Sequence, residues 1–155
     1  MSYITDAELE EYAAARGITV TGTKSHLRVK AMDFLNGMED QWQGTRAVDG
    51  QADDWPRKGV KLYGVDFPVD QIPQALKDAQ AQLSIEADSQ SLQPTLSPGA
   101  TGTVTSEKVD VISVTYSERP GGGSSMPFFT AVRALLRPLL RPGSGGISSF
   151  SLTRI

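Results

Sequence analysis

Residues 24–42 read Lys24-Ser25-His26-Leu27-Arg28-Val29-Lys30-Ala31-Met32-Asp33-Phe34-Leu35-Asn36-Gly37-Met38-Glu39-Asp40-Gln41-Trp42, and this stretch decides the fold class. Leu27, Ala31, Leu35, Met38 and Trp42 recur at spacings of four, four, three and four, with Phe34 beside them. That period lines one face of an α-helix, whereas a half-buried strand would alternate. The spacing predicts a helix over about 24–41, with Gly37 as an interruption that costs about 1 kcal/mol. Met38 and Trp42 read as core rather than as a binding box.

The same period extends outward in both directions. Thr5-Asp6-Ala7-Glu8 is a capping box, flanked by Ile4 and Leu9 at the two positions of a hydrophobic staple. It predicts a helix over 5–16, with Leu9, Tyr12 and Ala13 inward and Gly17 as the stop. A third helix, 71–89, opens at Asp70-Gln71-Ile72-Pro73, where a proline in the first turn loses no hydrogen bond. Ile72, Leu76, Ala79, Leu83 and Ala87 follow on one face. A last helix, 127–138, carries Phe128, Val132, Leu135 and Leu139, and Pro138 ends or kinks it.

The connections are equally informative. Residues 43–70 form a long connection around Trp55-Pro56-Arg57-Lys58-Gly59, and a structureless loop of that length is uncommon unless it has a role. Trp55, Pro56, Arg57 and Gly59 therefore read as a pinned structural loop, with Trp42 and Trp55 both buried. Asp53-Asp54 alone, without a second ligand cluster, does not make a metal or acid–base site. Residues 89–106 have the Ser/Thr/Pro/Gly composition of a linker. Residues 107–116 read as strand. Val109 and Val111 alternate in one phase and Ile112, Val114 and Tyr116 in the other, which suggests a bulge or a change of partner surface. Val109, Val111, Val114 and Tyr116 are the candidates for pairing between subunits, because a lone strand must find partners for its backbone. Pro120-Gly121-Gly122-Gly123 is a flexible loop and lacks the Gly-Lys-Ser/Thr of a phosphate-binding loop.

Composition excludes several classes. The 155 residues contain no cysteine and one histidine, His26. Disulfides, thiolate zinc sites and cysteine nucleophiles are therefore excluded, and with a single histidine neither a His-rich metal site nor a His-dependent triad is expected; the reading has no catalytic residue, no metal and no cofactor. No apolar run approaches the ~20 residues of a membrane span. The N-terminus lacks a basic region followed by an apolar stretch, so synthesis in the cytoplasm is expected.

Charge is strongly segregated. All 18 acidic residues and ten of the 15 basic ones lie within 1–118, a net of −8. Residues 119–155 carry five arginines and no acid. Such a basic segment suggests an anionic partner, either nucleic acid or an acidic protein surface; its simplest alternative is a solvated arginine face. Arginine rather than lysine suits bidentate pairing.

Tyr3-Ile4-Thr5-Asp6-Ala7-Glu8, Trp55-Pro56-Arg57-Lys58-Gly59-Val60, the Ile72–Gln80 helix and the Ser106–Ser117 segment occur in an order that resembles the small head–tail adaptor proteins of long-tailed bacteriophages. Such sequences are often labelled DnaT-like single-stranded DNA-binding. The resemblance spans roughly residues 3–140. It implies a structural virion protein at the head–tail junction, forming a ring of about twelve copies under the portal protein. Such a ring extends the DNA channel, lets packaged DNA pass without sequence-specific binding, and offers a surface to a downstream connector or tail-completion protein. No membrane is involved. The alternative is a single-stranded DNA-binding replication (primosomal) protein, which needs a basic groove with exposed aromatics. An enzyme is not expected.

The expected fold is mainly α: a small bundle of about four helices with one extended β-strand or hairpin segment and a long C-terminal arm. Its expected divisions are a helical body 1–90, a linker and strand segment 91–125, a C-terminal helix 126–142 and an extended tail 143–155. Arg133, Arg137 and Arg141, with Phe150, Leu152 and Ile155, are the candidate docking residues for the portal or another partner. Fully extended, the 13 residues from Gly143 reach roughly 40 Å, and the glycines at 143, 145 and 146 make the tail costly to order before assembly.

Overall fold

The computed structural model describes residues 1–92 and 129–143. Within them the chain is mainly α, with four helices: α1 (Asp6–Ala14), α2 (Lys24–Asn36), α3 (Gln74–Ser89) and α4 (Thr130–Leu136). Two short antiparallel ladders lie between α2 and α3. β1 (Thr45–Arg46) pairs with β2 (Arg57–Lys58), and β3 (Lys61–Leu62) pairs with β4 (Val65–Asp66). The segments 107–116 and 144–155 fall outside the described residues, so the proposed subunit strand and the tail residues Phe150, Leu152 and Ile155 have no structural description.

Helix α3 is the centre. It packs against α2, α4 and α1. The stripe Leu27, Ala31, Leu35, Met38 and Trp42 is buried throughout, as its spacing requires. It meets Leu76, Ala79 and Leu83 of α3 and Val132 and Leu136 of α4 in one continuous cluster. Trp42 and Trp55 are both buried and meet edge to face at 5.8 Å. In this arrangement the positive ring edge of one indole approaches the negative face of the other.

Local chemistry sets the helix ends. Thr5 Oγ1 accepts the Glu8 amide at 3.2 Å and Glu8 accepts the Thr5 amide at 2.7 Å, completing the capping box. Ile4 and Leu9 are both buried beside Ala81, as the staple predicts. Gly17, at φ +67°, closes α1: its amide reaches Ala14 O and the next amide, of Ile18, reaches Ala13 O. Buried Gln80 ties the N-terminus down. It accepts the Tyr3 amide at 2.9 Å and donates to Ser2 Oγ and to the Arg28 carbonyl.

Three expectations are corrected. The helix predicted over 24–41 ends at Asn36; Gly37 is its cap, and Glu39–Gln41 form a 3₁₀ turn. The reason is tertiary: Trp42 is extended and bridges Leu140, while the Gln43 amide donates to Leu139 O and the Arg141 amide to Gln41 O. Pro73 is the N-cap of α3 rather than a first-turn residue, its carbonyl accepting the Leu76 and Lys77 amides. The helix expected over 127–138 is α4 followed by a 3₁₀ turn Arg137–Leu139 with Pro138 inside it. At the end of α4, Leu136 is fully buried and Leu135 half-buried. Within the pinned 43–70 loop, the two ladders supply part of the backbone with partners.

The Thr23 side chain makes no cap at α2, and Asp88 of α3 instead fastens the loop just ahead of that helix. Its carboxylate accepts the Thr21 and Gly22 amides, each at 2.8 Å, and the Thr21 hydroxyl at 3.0 Å. The Thr21 amide, first among these, holds the carboxyl below its ordinary range. A depressed carboxylate contributes stability above its unfolded pKa, about 4, and loses it as pH falls through the lower folded value. Asp88→Asn should therefore lower the urea midpoint at pH 6, and its deficit against wild type should shrink by pH 3. A deficit independent of pH would show that the carboxylate's charge is not involved.

Candidate assembly surface

The 43–70 connection is held by a buried polar node. Asp54, 1% exposed, accepts the Trp42 indole N–H at 2.9 Å on one oxygen and the Arg46 guanidinium at 3.0 Å on the other. That bond to Asp54 raises the Arg46 pKa above its ordinary value, and Glu39 adds a second anionic contact at 3.2 Å. Buried Arg57 fans out to three carbonyls, of Gln43, Asp54 and Gly44, at 2.8 to 3.1 Å. Burial pulls its pKa down, and the three carbonyls satisfy its donors in place of water. Tyr3 Oη accepts the Trp55 amide, and burial pushes the phenol's pKa up, keeping it protonated. The loop is thus ordered and anchored by Trp55 and Arg57, as the sequence suggests. The Trp55–Pro56 peptide is cis.

Asp53 and Asp54 turn to different partners. Asp53 accepts from Asn36 Nδ2 and lies 3.7 Å from the terminal ammonium of Met1. Among the described residues no group of three or more His, Asp or Glu side chains is placed to hold a metal. Nor, among them, is any helix long and apolar enough to cross a membrane.

What this anchoring holds out is the β3–β4 hairpin. Its two-residue turn is Tyr63-Gly64, at φ +52° and +84°. Left-handed backbone is unfavourable for a bulky side chain. Tyr63 is nevertheless 91% exposed, and Val65 beside it 70%. Leu62, across the ladder from Val65, packs against the core and roots the hairpin. Among the described residues Tyr63 is the single exposed aromatic, and neighbouring Lys61 is paired with Asp66 at 2.6 Å. Sequence reasoning passed over Tyr63; the only local signal of the turn is Gly64 at its second position, since tyrosine is not a residue that a two-residue hairpin turn favours.

The predicted arginines are placed unequally. Arg137 is exposed at the start of the last 3₁₀ turn. Arg141 is exposed but fastened: its Nε donates to the Trp42 carbonyl at 2.7 Å. Arg133 is half-buried on α4 and is engaged in a contact. Arg141 also lines an open groove of about 950 Å³ with Glu39, Asp40, Asp49, Arg46 and Lys58. The opposed charges there select neither an anion nor a cation. Gly59, at φ +76°, takes the turn that leads from β2 into β3.

Fold and surface together define a small helical scaffold that anchors one loop deeply so that it can present an apolar turn. The chain belongs to the family described as "Putative DnaT-like ssDNA binding protein", whose profile matches residues 1–155. No curated protein and no solved structure matches it.

Proposed function

We propose that this protein is a non-enzymatic structural component of a phage virion: a ring-forming head–tail adaptor that docks under the portal, extends the DNA channel and receives the next connector or tail-completion protein. The observation that carries this reading is the Tyr63 turn. A protein that builds a buried Asp–Trp–Arg node to hold an exposed aromatic in strained backbone has the form of a contact finger. The family description names single-stranded DNA binding. That activity calls for stacked aromatics along a cationic groove, and here one aromatic stands beside a lysine already paired with an aspartate.

The test uses full-length protein and portal-bearing heads, with sedimentation and electron microscopy of the product. Wild type should form rings on the heads, and deletion of 107–116 should abolish them. Tyr63→Asn should fold with equal or greater stability, by up to about 1 kcal/mol, because Asn tolerates left-handed backbone; its incorporation should fall. Wild-type incorporation of both variants would overturn the reading. Salt-dependent binding of single-stranded oligonucleotides with no ring formation would favour the replication alternative.

A further inference from the structure

The open groove beside Arg141 holds about 950 Å³, room for a stretch of chain rather than for one side chain. Most of its charged groups are already engaged. Arg46 is held by Asp54 and Glu39, buried Arg57 by three carbonyls, and Arg141 by the Trp42 carbonyl. Asp40, Asp49 and Lys58 are exposed and form no ion pair among the described residues. With buried Asp54 behind it, the groove carries four cations and four acids. It therefore suits an occupant of low net charge that can donate hydrogen bonds to two unpaired carboxylates. Val48, 66% exposed on the same lining, adds an apolar contact.

The chain itself supplies such an occupant. Arg141 is fastened at this groove through its amide on the Gln41 carbonyl and its Nε on the Trp42 carbonyl. The point from which the tail departs is thus fixed at the groove wall. Two residues later Gly143, exposed and at φ +89°, turns the backbone. Residues 144–155, which lie outside the described residues, hold four serines, one threonine and a single charge, Arg154. Extended, they span roughly 40 Å at about 3.3 Å per residue, so reach does not limit them. A segment tethered at the groove wall acts at an effective concentration on the order of mM, which offsets the cost of ordering its glycines. A second copy offers the same residues only at the bulk protein concentration.

We propose that the tail folds back on its own subunit and covers this groove. The Arg154 guanidinium meets Asp40 and Asp49, and the tail's apolar residues rest against Val48. The contact is autoinhibitory: the groove stays occupied by the chain's own tail until a partner displaces it. This inference goes beyond the adaptor reading and holds whether or not the protein joins a virion.

The cysteine-free full chain allows the contact to be measured. Nitroxide labels are placed on Thr45→Cys, at the groove, and Ser151→Cys, on the tail, and their separation is read by double electron–electron resonance. The doubly labelled chain is diluted into excess unlabelled wild type, so that only distances within one subunit are recorded. The distance distribution should be narrow. Arg154→Asp, a change confined to the tail, should widen it about twofold or more, toward that of a free flexible chain. Asp40→Lys together with Asp49→Lys should widen it likewise, and adding Arg154→Asp to that pair should narrow it again. Circular dichroism checks that each variant is folded. A broad distribution in the starting chain would overturn the proposal. So would a narrow one that the Asp40 and Asp49 reversals leave unmoved, because the tail would then rest elsewhere. A narrow distribution seen only without dilution would give the groove to the tail of a second copy and would overturn the contact within one subunit.

Discussion

Asp54→Ala is expected to destabilise the fold by about 3 kcal/mol, read as a fall in the urea midpoint followed by tryptophan fluorescence. Asp54 is buried and accepts from Trp42 Nε1 and Arg46 Nη2 at once. Removing it leaves a buried indole N–H without an acceptor, at about 1–3 kcal/mol. It also strips the less exposed partner from an ion pair. Arg46 keeps Glu39, which limits the loss. Asp54→Asn retains an acceptor for one donor and should cost about half as much. The two indoles meet at this site, so their emission reports it directly. An Asp54→Ala midpoint within about 0.5 kcal/mol of wild type would show that the node does not hold the loop.

Gly44→Ala should cost about 3 kcal/mol, for two separable reasons. At φ +64° any L side chain meets the left-handed penalty of about 1–2 kcal/mol. A methyl group would also sit 2.1 Å from the Lys58 carbonyl oxygen, a backbone atom that cannot swing aside. Relief requires the β1–β2 ladder to open, adding about 1–3 kcal/mol. Gly50→Ala is the control. It shares the positive φ, +78°, but has nothing within 4 Å, so only the first penalty applies. Equal losses for the two alanines would mean that the close approach of strands at Gly44 contributes nothing.

Much of the helical body was legible because its causes are local. The Thr5–Glu8 capping box and the Gly17 closure depend on residues a few positions apart. The stripe from Leu27 to Trp42 announced its buried face through spacing alone. Burial of Trp55 was also legible, since a tryptophan before proline in a long connection needs an anchor.

The remainder was decided by contacts between distant segments. The helix from Lys24 stops five residues short of its pattern because Trp42 pairs with Leu140, 98 positions away, and a backbone committed to that bridge cannot stay helical. Asp54 looked like half of a carboxylate pair, yet its partners Trp42 and Arg46 are set by the returning loop. Asp88 holds the loop ahead of α2 from 66 positions away, through the Gly22 amide, a contact that no local motif encodes. By itself the sequence determined which faces are buried, because helical period and amphipathic spacing act within a few turns. Only the tertiary structure decided where each helix yields to a turn, what satisfies Asp54 and Arg57, and which aromatic, Tyr63, is left outside, because those outcomes depend on backbone and side-chain partners brought together from across the chain.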